Sequence, residues 1–481
     1  MSQDNILAIG IDGACWPLID QWVDQGKLPN IESIQKNGTF GSLTSTVPPV
    51  TCPAWKCYST GKNPGKLGVF WWENLDIENK ESTIPNSKSF NSDEIWDILN
   101  KNGYTTGIVG MPLTYPPKSV DGFMVAGGPG AFDNGFTYPK RIERDLKSKF
   151  DYTPRPVLPA NAEEEKETYV EKSIEQIDLD FKVAKYLHEK HPVDFLQITT
   201  FEINAPLQHL FYDDWPTLEA WELIDEHIGD LSDEFKHIII HSDHGTSKMD
   251  RQFYINNWFE SEGYLTVKTT LTERLASIGF HRDNILDILE RLNIREPIQN
   301  NQIMRKFGRY IPDSSGQFGE TEGAAIFTKS QWNNTKAVGL AQGPIYLNKE
   351  NMSGSEYEKI RESLIEELLN ISDPKNGKNP IQQVFKKEDI YHGEYTDKAP
   401  DLVALDSPRY HNKGGIGKSV MFGDSEWKGN NARNGLYAIS GPQIDSQRVD
   451  ADIYDLAPTI LDILNIPIPD DMDGKPVSLD S

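Results

Sequence analysis

Short apolar runs in this chain are each followed directly by residues that can bind a metal ion or act as nucleophiles. The runs are 6–11, 47–50 and 238–240, followed by Asp12, by Thr51, and by His241 with Asp243 and His244. Runs this short and rich in β-branched residues are typical of buried parallel strands. Ligands of an open α/β sheet collect just beyond the carboxyl ends of its strands. The pattern therefore predicts that these polar side chains lie together in an enzyme site.

Strand and helix patterns alternate along the chain from residue 6 to about residue 265. Apolar residues at helical spacing predict helices over 16–25, 91–103 and 164–190, and later over 451–463. Further strands are expected over 104–109, 194–198, 236–241, 339–347 and 401–405. This alternation predicts an α/β fold with a mostly parallel, twisted central sheet covered by helices on both faces.

Residues 266–330 do not continue this alternation of strand and helix patterns. They contain a helical piece over 284–292 and a segment rich in glycine, serine and glutamate over 314–323. We expect an insertion or lid near the site here, and a surface elaboration without function is the alternative. The catalytic domain is accordingly expected to be discontinuous, with residues 1–265 and 331–481 on either side of the insertion.

The charge and cysteine content of the chain limit its partners and its compartment. The chain has 48 basic and 73 acidic residues and a net charge of −25. Such a charge repels nucleic acid and anionic lipid, so neither is an expected partner. Three irregularly spaced cysteines, Cys15, Cys52 and Cys57, argue against a disulfide framework. Because no apolar stretch could span a membrane and no basic region precedes Ile6, we expect a cytoplasmic protein without a signal peptide.

Several motifs occur in a characteristic order. They are Gly-Ile-Asp-Gly at 10–13, the segments 48–55, 60–66 and 111–117, Ser-Asp-His-Gly at 242–245, and the segments 435–442 and 455–460. Together they resemble the type I phosphodiesterase/nucleotide pyrophosphatase family of the alkaline phosphatase superfamily, over most of the chain. The resemblance implies an alkaline phosphatase-like α/β sandwich. It also implies a metal-dependent hydrolase of phosphodiester or nucleotide-type phosphoesters, or a phosphoryl-group transferase, acting on a small phosphorylated substrate.

The resemblance also assigns roles to the residues that follow the apolar runs. In this family two metal ions, usually zinc, lie side by side at the edge of the sheet. One is held at positions matching Asp12, Asp243 and His244, and it also contacts the nucleophile, here Thr51. A threonine hydroxyl is a poor nucleophile at neutral pH, and coordination to a metal favours its alkoxide. A helix that begins at Thr51 would also direct its N-terminal amides at phosphate oxygens.

A sulfatase is the first alternative that the residues can test. Sulfatases of this superfamily have an oxidisable cysteine as the nucleophile and a proline two residues later. Here Thr51 stands two residues before Pro53, whereas Cys52 is one residue out of register. We therefore expect Cys52 to be a packed thiol.

The second metal site departs from the family pattern. It should contain an aspartate, a histidine four residues later, and a histidine near the C-terminus. His209 matches the first histidine, but Ala205 stands at the aspartate position and Asn431 at the C-terminal histidine. Alanine cannot bind a metal, and a neutral amide is a weak zinc ligand. We therefore expect one divalent ion, zinc with manganese as the alternative, and His209 is either a remnant ligand or a structural histidine.

Other residues could compensate for the missing ligands. The candidates are Glu202, Asn204, His411, Lys413 and Lys418, and a lysine could replace the charge of the ion. Trp55, Trp71 and Trp72 follow the nucleophile and could stack on a base or sugar, or pack in the core. The alternative to an enzyme is a catalytically silent relative that binds a phosphorylated ligand or a protein partner. A one-metal enzyme with altered chemistry is the third hypothesis.

Overall fold

A computed structural model describes residues 4–128, 130–156, 165–268, 321–417 and 420–480. In chain order its strands are β1 (Ile6–Ile11), β2 (Gly38–Thr44), β3 (Asn74–Asp76), β4 (Glu81–Thr83), β5 (Thr106–Val109), β6 (Gly122–Val125), β7 (Thr137–Tyr138), β8 (Phe195–Thr200), β9 (His237–His241), β10 (Gly245–Tyr254), β11 (Ala337–Gly339), β12 (Pro344–Leu347), β13 (Ile381–Lys386), β14 (Leu402–Asp406), β15 (Arg409–Lys413), β16 (Phe422–Asp424), β17 (Gly429–Ala432), β18 (Asn434–Ser440), β19 (Gln447–Arg448) and β20 (Ala451–Asp452). The α-helices are α1 (Trp16–Asp24), α2 (Pro29–Lys36), α3 (Thr51–Thr60), α4 (Pro64–Leu67), α5 (Ile95–Lys101), α6 (Arg141–Phe150), α7 (Lys166–Lys190), α8 (His209–Phe211), α9 (Trp215–Ser232), α10 (Ile255–Ser261), α11 (Glu322–Lys329), α12 (Gly354–Leu368), α13 (Lys387–Ile390) and α14 (Leu456–Ile463). None of the described helices is long and apolar enough to cross a membrane.

A ten-stranded sheet with the order β19-β2-β18-β9-β1-β8-β5-β6-β7 forms the centre of the molecule, and β20 also pairs with β2. Strand β1 lies between β8 and β9 and is parallel to both, so that Gly10 is opposite Thr199 and His241. Strand β18 is antiparallel to β9 and β2. The mostly parallel sheet that the sequence predicts is therefore confirmed.

Helices cover both faces of this sheet because the side chains of each strand alternate between the faces. On one face α1, α2, α7 and α9 pack over Leu7, Ile9 and Ile11. On the other face α3, α5 and α14 pack over Ile6 and Ala8. Strand β1 is thus apolar and buried on both sides, and its carboxyl end delivers Asp12 to the edge of the sheet.

The segment 47–50 is not a strand, although its apolar pattern predicts one. Pro48 and Pro49 cannot donate backbone hydrogen bonds to a neighbouring strand, which excludes a central position in a sheet. The strand of this region is β2, which ends at Thr44. Residues 45–50 instead form a loop that leads into α3.

A second, antiparallel sheet with the order β11-β12-β14-β13 has its own apolar core with α10, α11 and α12. Helix α11 belongs to the predicted insertion 266–330. Most of that insertion, including 284–292 and most of 314–323, lies outside the described residues, so the proposed domain boundaries stay a prediction. Strand β10, which comes shortly after β9 in the chain, forms a separate sheet with β15, β16 and β17, and in this sheet Thr246 is opposite Asn431 of β17.

Candidate active site

Three elements bring the predicted metal ligands and nucleophile together. Asp12 follows β1, Thr51 is the first residue of α3, and Asp243 and His244 follow β9. Ligand atoms of Asp12, Asp243 and His244 all lie within 4.8 Å of one another. The Thr51 hydroxyl oxygen, Oγ1, lies 3.3 Å from Nε2 of His244. All four side chains are almost completely buried.

The hydrogen bonds of Asp243 and His244 leave one ligand atom of each residue directed into the site. Oδ1 of Asp243 accepts from the backbone N–H of Gly13 at 3.1 Å and of His244 at 2.9 Å. Its Oδ2 is buried and has no hydrogen-bond partner. Nδ1 of His244 lies 2.9 Å from the carbonyl oxygen of Gly245, which can only accept, so Nδ1 carries the proton. The unprotonated Nε2 then faces Oδ2 of Asp243 at 3.2 Å, an arrangement that a bound cation would stabilise.

Asp12 is held from two sides. Its Oδ2 accepts from the indole N–H of Trp55 at 3.2 Å, and its Oδ1 accepts from the amide of Asn204 at 2.9 Å. Burial, and after it the charge of Asp243, raises the pKa of Asp12 well above its usual range. Burial also raises the pKa of Asp243 to about 7 and lowers the pKa of His244. Two carboxylates, an imidazole and a hydroxyl in a buried centre fit one divalent ion such as zinc or manganese.

The start of α3 offers a second feature that suits a phosphate group. No side chain caps this end of the helix, and its first turn contains no acidic residue. The first amides of a helix have no partner within the helix and carry partial positive charge. Anionic oxygens beside Thr51 could therefore be bound by backbone N–H groups.

The residues at the second metal position bind one another. Nε2 of His209 lies 3.0 Å from Oδ1 of Asn431, and the buried Nδ1 of His209 has no partner. The amide nitrogen of Asn431 lies 3.0 Å from Nε2 of His244 and 3.1 Å from the carbonyl oxygen of Pro49. Asn431 thus connects the two histidines through its carboxamide.

The spacing of four residues to His209 points to residue 205 at this second position, but the side chain that faces the site there belongs to Asn204. Ile203–Gln208 is a kinked helical segment in which Ala205 has non-helical dihedral angles. Asn204, not residue 205, reaches Asp12, and its Oδ1 accepts from Thr246 at 2.8 Å and from Gln208 at 3.3 Å. One imidazole and two carboxamides do not fit a second zinc ion. Judged by these donors a single ion is expected, and the number of ions stays a prediction.

The remaining aromatic and thiol candidates have structural partners. Trp55 is fully buried and holds Asp12. Trp71 and Trp72 each donate their indole N–H to Oε1 of Gln342 at 3.2 Å. Cys52 packs against Val69 and Leu113, and burial raises the pKa of its thiol, which makes it a poor nucleophile.

The residues that could compensate for the missing ligands of the second metal site do not form one cluster among the described residues. Burial raises the pKa of Glu202 to about 7, and the charge of Asp12 acts in the same direction. His411 is buried, with Nδ1 3.6 Å from Oδ2 of Asp406. Nζ of Lys413 lies 4.9 Å from the ring centroid of Trp427, and the Trp427 ring stacks on His209 with centroids 5.4 Å apart. Lys418 lies outside the described residues.

Sequence reasoning missed Trp427 altogether. Trp427 belongs to the segment between β16 and β17, where no hydrophobic period or motif singles it out. Gln208 was also missed, although its position directly before His209 was a usable signal. Its amide nitrogen donates to the carbonyl oxygen of Gly13 at 3.2 Å and to Oδ1 of Asn204 at 3.3 Å.

A mostly parallel sheet with helices on both faces, and with an aspartate–aspartate–histidine cluster beside a threonine at its edge, defines a member of the alkaline phosphatase superfamily. The profile of the family "Type I phosphodiesterase / nucleotide pyrophosphatase" matches residues 6–431. The chain belongs to this family, and its class is that of the phosphoester hydrolases.

Solved structures support the fold. Phosphonoacetate hydrolase from Sinorhizobium meliloti 1021, in complex with phosphonoformate, is 13% identical with a TM-score of 0.59, and the alignment covers 95% of this chain and 94% of that one. Murine ectonucleotide pyrophosphatase/phosphodiesterase 5 is 15% identical with a TM-score of 0.51, over 97% of this chain and 96% of that one. At these identities the likeness concerns the fold alone. A comparison with curated proteins gives no match.

Proposed function

We propose that the protein hydrolyses a small phosphodiester or nucleotide-type phosphoester, with Thr51 as nucleophile and one divalent metal ion held by Asp12, Asp243 and His244. One observation carries the proposal: the Thr51 hydroxyl lies 3.3 Å from Nε2 of His244, beside the unpartnered Oδ2 of Asp243. The murine relative supports it, because its threonine-to-alanine variant is described as inactive and was solved in complex with AMP.

The chain's own residues suit each part of this reaction. When bound, the metal ion supplies positive charge that favours the Thr51 alkoxide and offsets negative charge on the phosphoryl oxygens. The carbonyl oxygen of Gly245 fixes the tautomer of His244, and Trp55 with Asn204 fixes the carboxylate of Asp12. The first amides of α3 bind a phosphoryl oxygen.

The Thr51 hydroxyl releases its proton to solvent and its oxygen attacks phosphorus, and the departing ester oxygen takes up a proton from solvent; from a diester, the other ester group stays on the phosphothreonine. Water next cleaves the phosphothreonine ester and restores the hydroxyl of Thr51. If another hydroxyl group replaced this water, the same site would act as a phosphoryl-group transferase.

The decisive experiment compares Thr51→Ala with Thr51→Ser on an aryl phosphodiester, with metal content measured on each protein. We expect Thr51→Ala to lose turnover completely and Thr51→Ser to retain part of it, because only serine preserves a nucleophilic oxygen. The matched control is Thr60→Ala at the other end of α3, where the hydroxyl donates to the carbonyl oxygen of Lys56 at 2.6 Å. Wild-type turnover in Thr51→Ala would refute Thr51 as the nucleophile.

A catalytically silent binding protein is the second candidate, and the carboxamides at the second metal position favour it. In that case the metal-loaded wild-type protein turns over neither diester nor monoester. AMP would then raise the melting temperature although neither ester is turned over, and it is the missing turnover of the metal-loaded protein that separates this candidate from the enzyme.

The metal and the compartment are also part of the proposal. Zinc is the proposed ion and manganese the alternative, because the donors include both carboxylates and an imidazole. Cys15, Cys52 and Cys57 are all free thiols, which supports the cytoplasmic location inferred from the sequence.

A further inference from the structure

We propose that Asn431 is a substrate-binding residue whose carboxamide N–H donates to a phosphoryl oxygen, at the position where the family pattern has a ligand of a second metal ion. The inference rests on the proposed phosphoester hydrolysis at Thr51. It assigns a hydrogen-bonding role to donors that do not fit a second zinc ion.

The hydrogen bonds of Asn431 fix which end of its carboxamide faces the metal ligands. The carbonyl oxygen of Pro49 can only accept, so the group that lies 3.1 Å from it is the NH2 group of Asn431. On the other side, Oδ1 of Asn431 lies 3.4 Å from Nδ2 of Asn204 and 3.0 Å from Nε2 of His209. Because the oxygen is engaged there, the NH2 group is the end that faces His244.

Asn431 lies beside the nucleophile. Its Nδ2 is 3.0 Å from Nε2 of His244, and Oγ1 of Thr51 is 3.3 Å from the same nitrogen atom. Pro49, whose carbonyl oxygen accepts from Asn431, stands two residues before Thr51 in the loop that leads into α3. A phosphoryl group that Thr51 attacks is therefore within reach of both the Asn431 N–H and the first amides of α3.

Nε2 of His244 cannot serve Asn431 and a metal ion at once. An unprotonated imidazole nitrogen has one lone pair, which either accepts a hydrogen bond or binds a metal. When this lone pair is given to the proposed ion, one N–H of Asn431 loses its acceptor. Asn431 is only 9% exposed, and a buried donor without a partner is costly. An anionic oxygen of the substrate is the acceptor that then satisfies Asn431.

Asn204, the other carboxamide at this position, has a different role. Its Nδ2 donates to Oδ1 of Asp12 at 2.9 Å and to Oδ1 of Asn431 at 3.4 Å. A carboxylate oxygen has more than one lone pair, so Asp12 can accept from Asn204 and bind an ion at the same time. Asn204 therefore keeps both acceptors when the ion is bound, and Asn431 is the residue whose donor passes to the substrate.

This arrangement gives Asn431 opposite effects on the metal and on the substrate. Its bond to His244 competes with the metal ion for Nε2, whereas its bond to a phosphoryl oxygen strengthens substrate binding. A ligand of a second ion would instead strengthen the binding of both. The signs of the two effects therefore distinguish a hydrogen-bond donor from a metal ligand.

The test replaces Asn431 by alanine and measures zinc binding and phosphate binding separately. Competition with a chromophoric chelator gives the zinc affinity, which we expect to rise about threefold because the competing bond to Nε2 is lost. Calorimetry on the zinc-loaded protein gives the dissociation constant of inorganic phosphate, which should rise about tenfold because a charge-assisted hydrogen bond is lost. We expect kcat/KM for an aryl phosphodiester to fall about 100-fold.

Asn430→Ala is the matched control. Asn430 is the preceding residue of β17 and is also buried. Its Nδ2 donates to Oδ2 of Asp406 at 3.0 Å and to the carbonyl oxygen of Tyr410 at 3.1 Å, on the other face of the strand. Asn430→Ala loses two comparable hydrogen bonds and should leave zinc affinity, phosphate affinity and kcat/KM unchanged.

Either of two results would overturn the role of Asn431: a phosphate dissociation constant within twofold of wild type, or a loss of zinc from Asn431→Ala. If Asn431→Ala does not fold, Asn431→Asp carries the test, because aspartate keeps the shape and has an oxygen in place of the NH2 group. Its phosphate affinity should fall at least about tenfold, and an unchanged affinity would contradict the proposal. Wild-type turnover in Thr51→Ala would instead refute the proposed function itself.

Discussion

The indole of Trp55 fixes the orientation of Asp12, a proposed metal ligand, through a single hydrogen bond. Its N–H donates to Oδ2 of Asp12, while its ring contacts His241 and Tyr58 edge to face. Because the ring is fully buried among these partners, it cannot rotate away from Asp12. The remaining oxygen of Asp12 is held by Asn204. Partners of this kind set the geometry and basicity of a metal ligand without touching the metal.

Replacing Trp55 by phenylalanine should therefore weaken metal binding about tenfold. A zinc titration in competition with a chromophoric chelator measures the change. Trp16→Phe is the control, since it loses a comparable buried bond from its indole N–H to the carbonyl oxygen of Gly41 at 2.8 Å. Equal zinc affinity in wild type and Trp55→Phe would show that the bond to Asp12 has no influence on the metal.

At the scale of elements, the kink at Ala205 within Ile203–Gln208 decides which side chain faces the second metal position. The resemblance implies an aspartate four residues before His209, at residue 205, and a regular α-helix places residues four apart on one face. The non-helical Ala205 interrupts the helix, and Asn204, five residues before His209, lies against Asp12.

The kink makes a prediction about restoring the second metal site. Asn204→Asp combined with Asn431→His should bind a second zinc ion together with His209, because aspartate and histidine then face the same space. Ala205→Asp combined with Asn431→His should stay at one ion per chain. Metal analysis after gel filtration distinguishes the two. Two ions per chain in the variant that carries Ala205→Asp would mean that residue 205, not residue 204, faces the second metal position.

The same elements show how far the sequence alone leads. Strand β1 and strand β9 follow from their apolar runs, and the sheet edge that joins Asp12 to Asp243 follows from their parallel direction. The strand expected over 47–50 was wrong because two prolines cannot join a sheet ladder. The role of Asn204 depends on the kink at Ala205, and the contact between Trp427 and His209 depends on tertiary packing. Neither leaves a periodic signal in the sequence.

At the scale of the whole molecule, the chain has an excess of acidic residues, and some of its carboxyl groups are buried with raised pKa values. The net charge is −25, and each further ionised carboxylate increases the repulsion within the folded chain. Burial raises the pKa values of Asp243 and Glu322 to about 7. The two carboxyls lie in different parts of the fold, so their contributions to stability can be measured separately.

The stability of the metal-free protein should fall as the pH rises from about 4 to about 7. In this window Asp243 and Glu322 keep their protons in the folded chain and lose them in the unfolded chain, so the folded state binds more protons. In the proposed site zinc or manganese binds the ionised form of Asp243, so the stabilisation by metal should increase over the same window. Melting temperatures at pH 5 and pH 7.5, with chelator and with metal, measure both effects. Glu322→Gln should reduce the pH dependence of the melting temperature of the metal-free protein. The rise in melting temperature on adding metal should stay unchanged.

Repeating the series in 1 M salt screens the surface repulsion but not the buried groups. If salt abolishes the change of melting temperature with pH, the net charge causes it. If the change persists in salt, the buried carboxyls cause it.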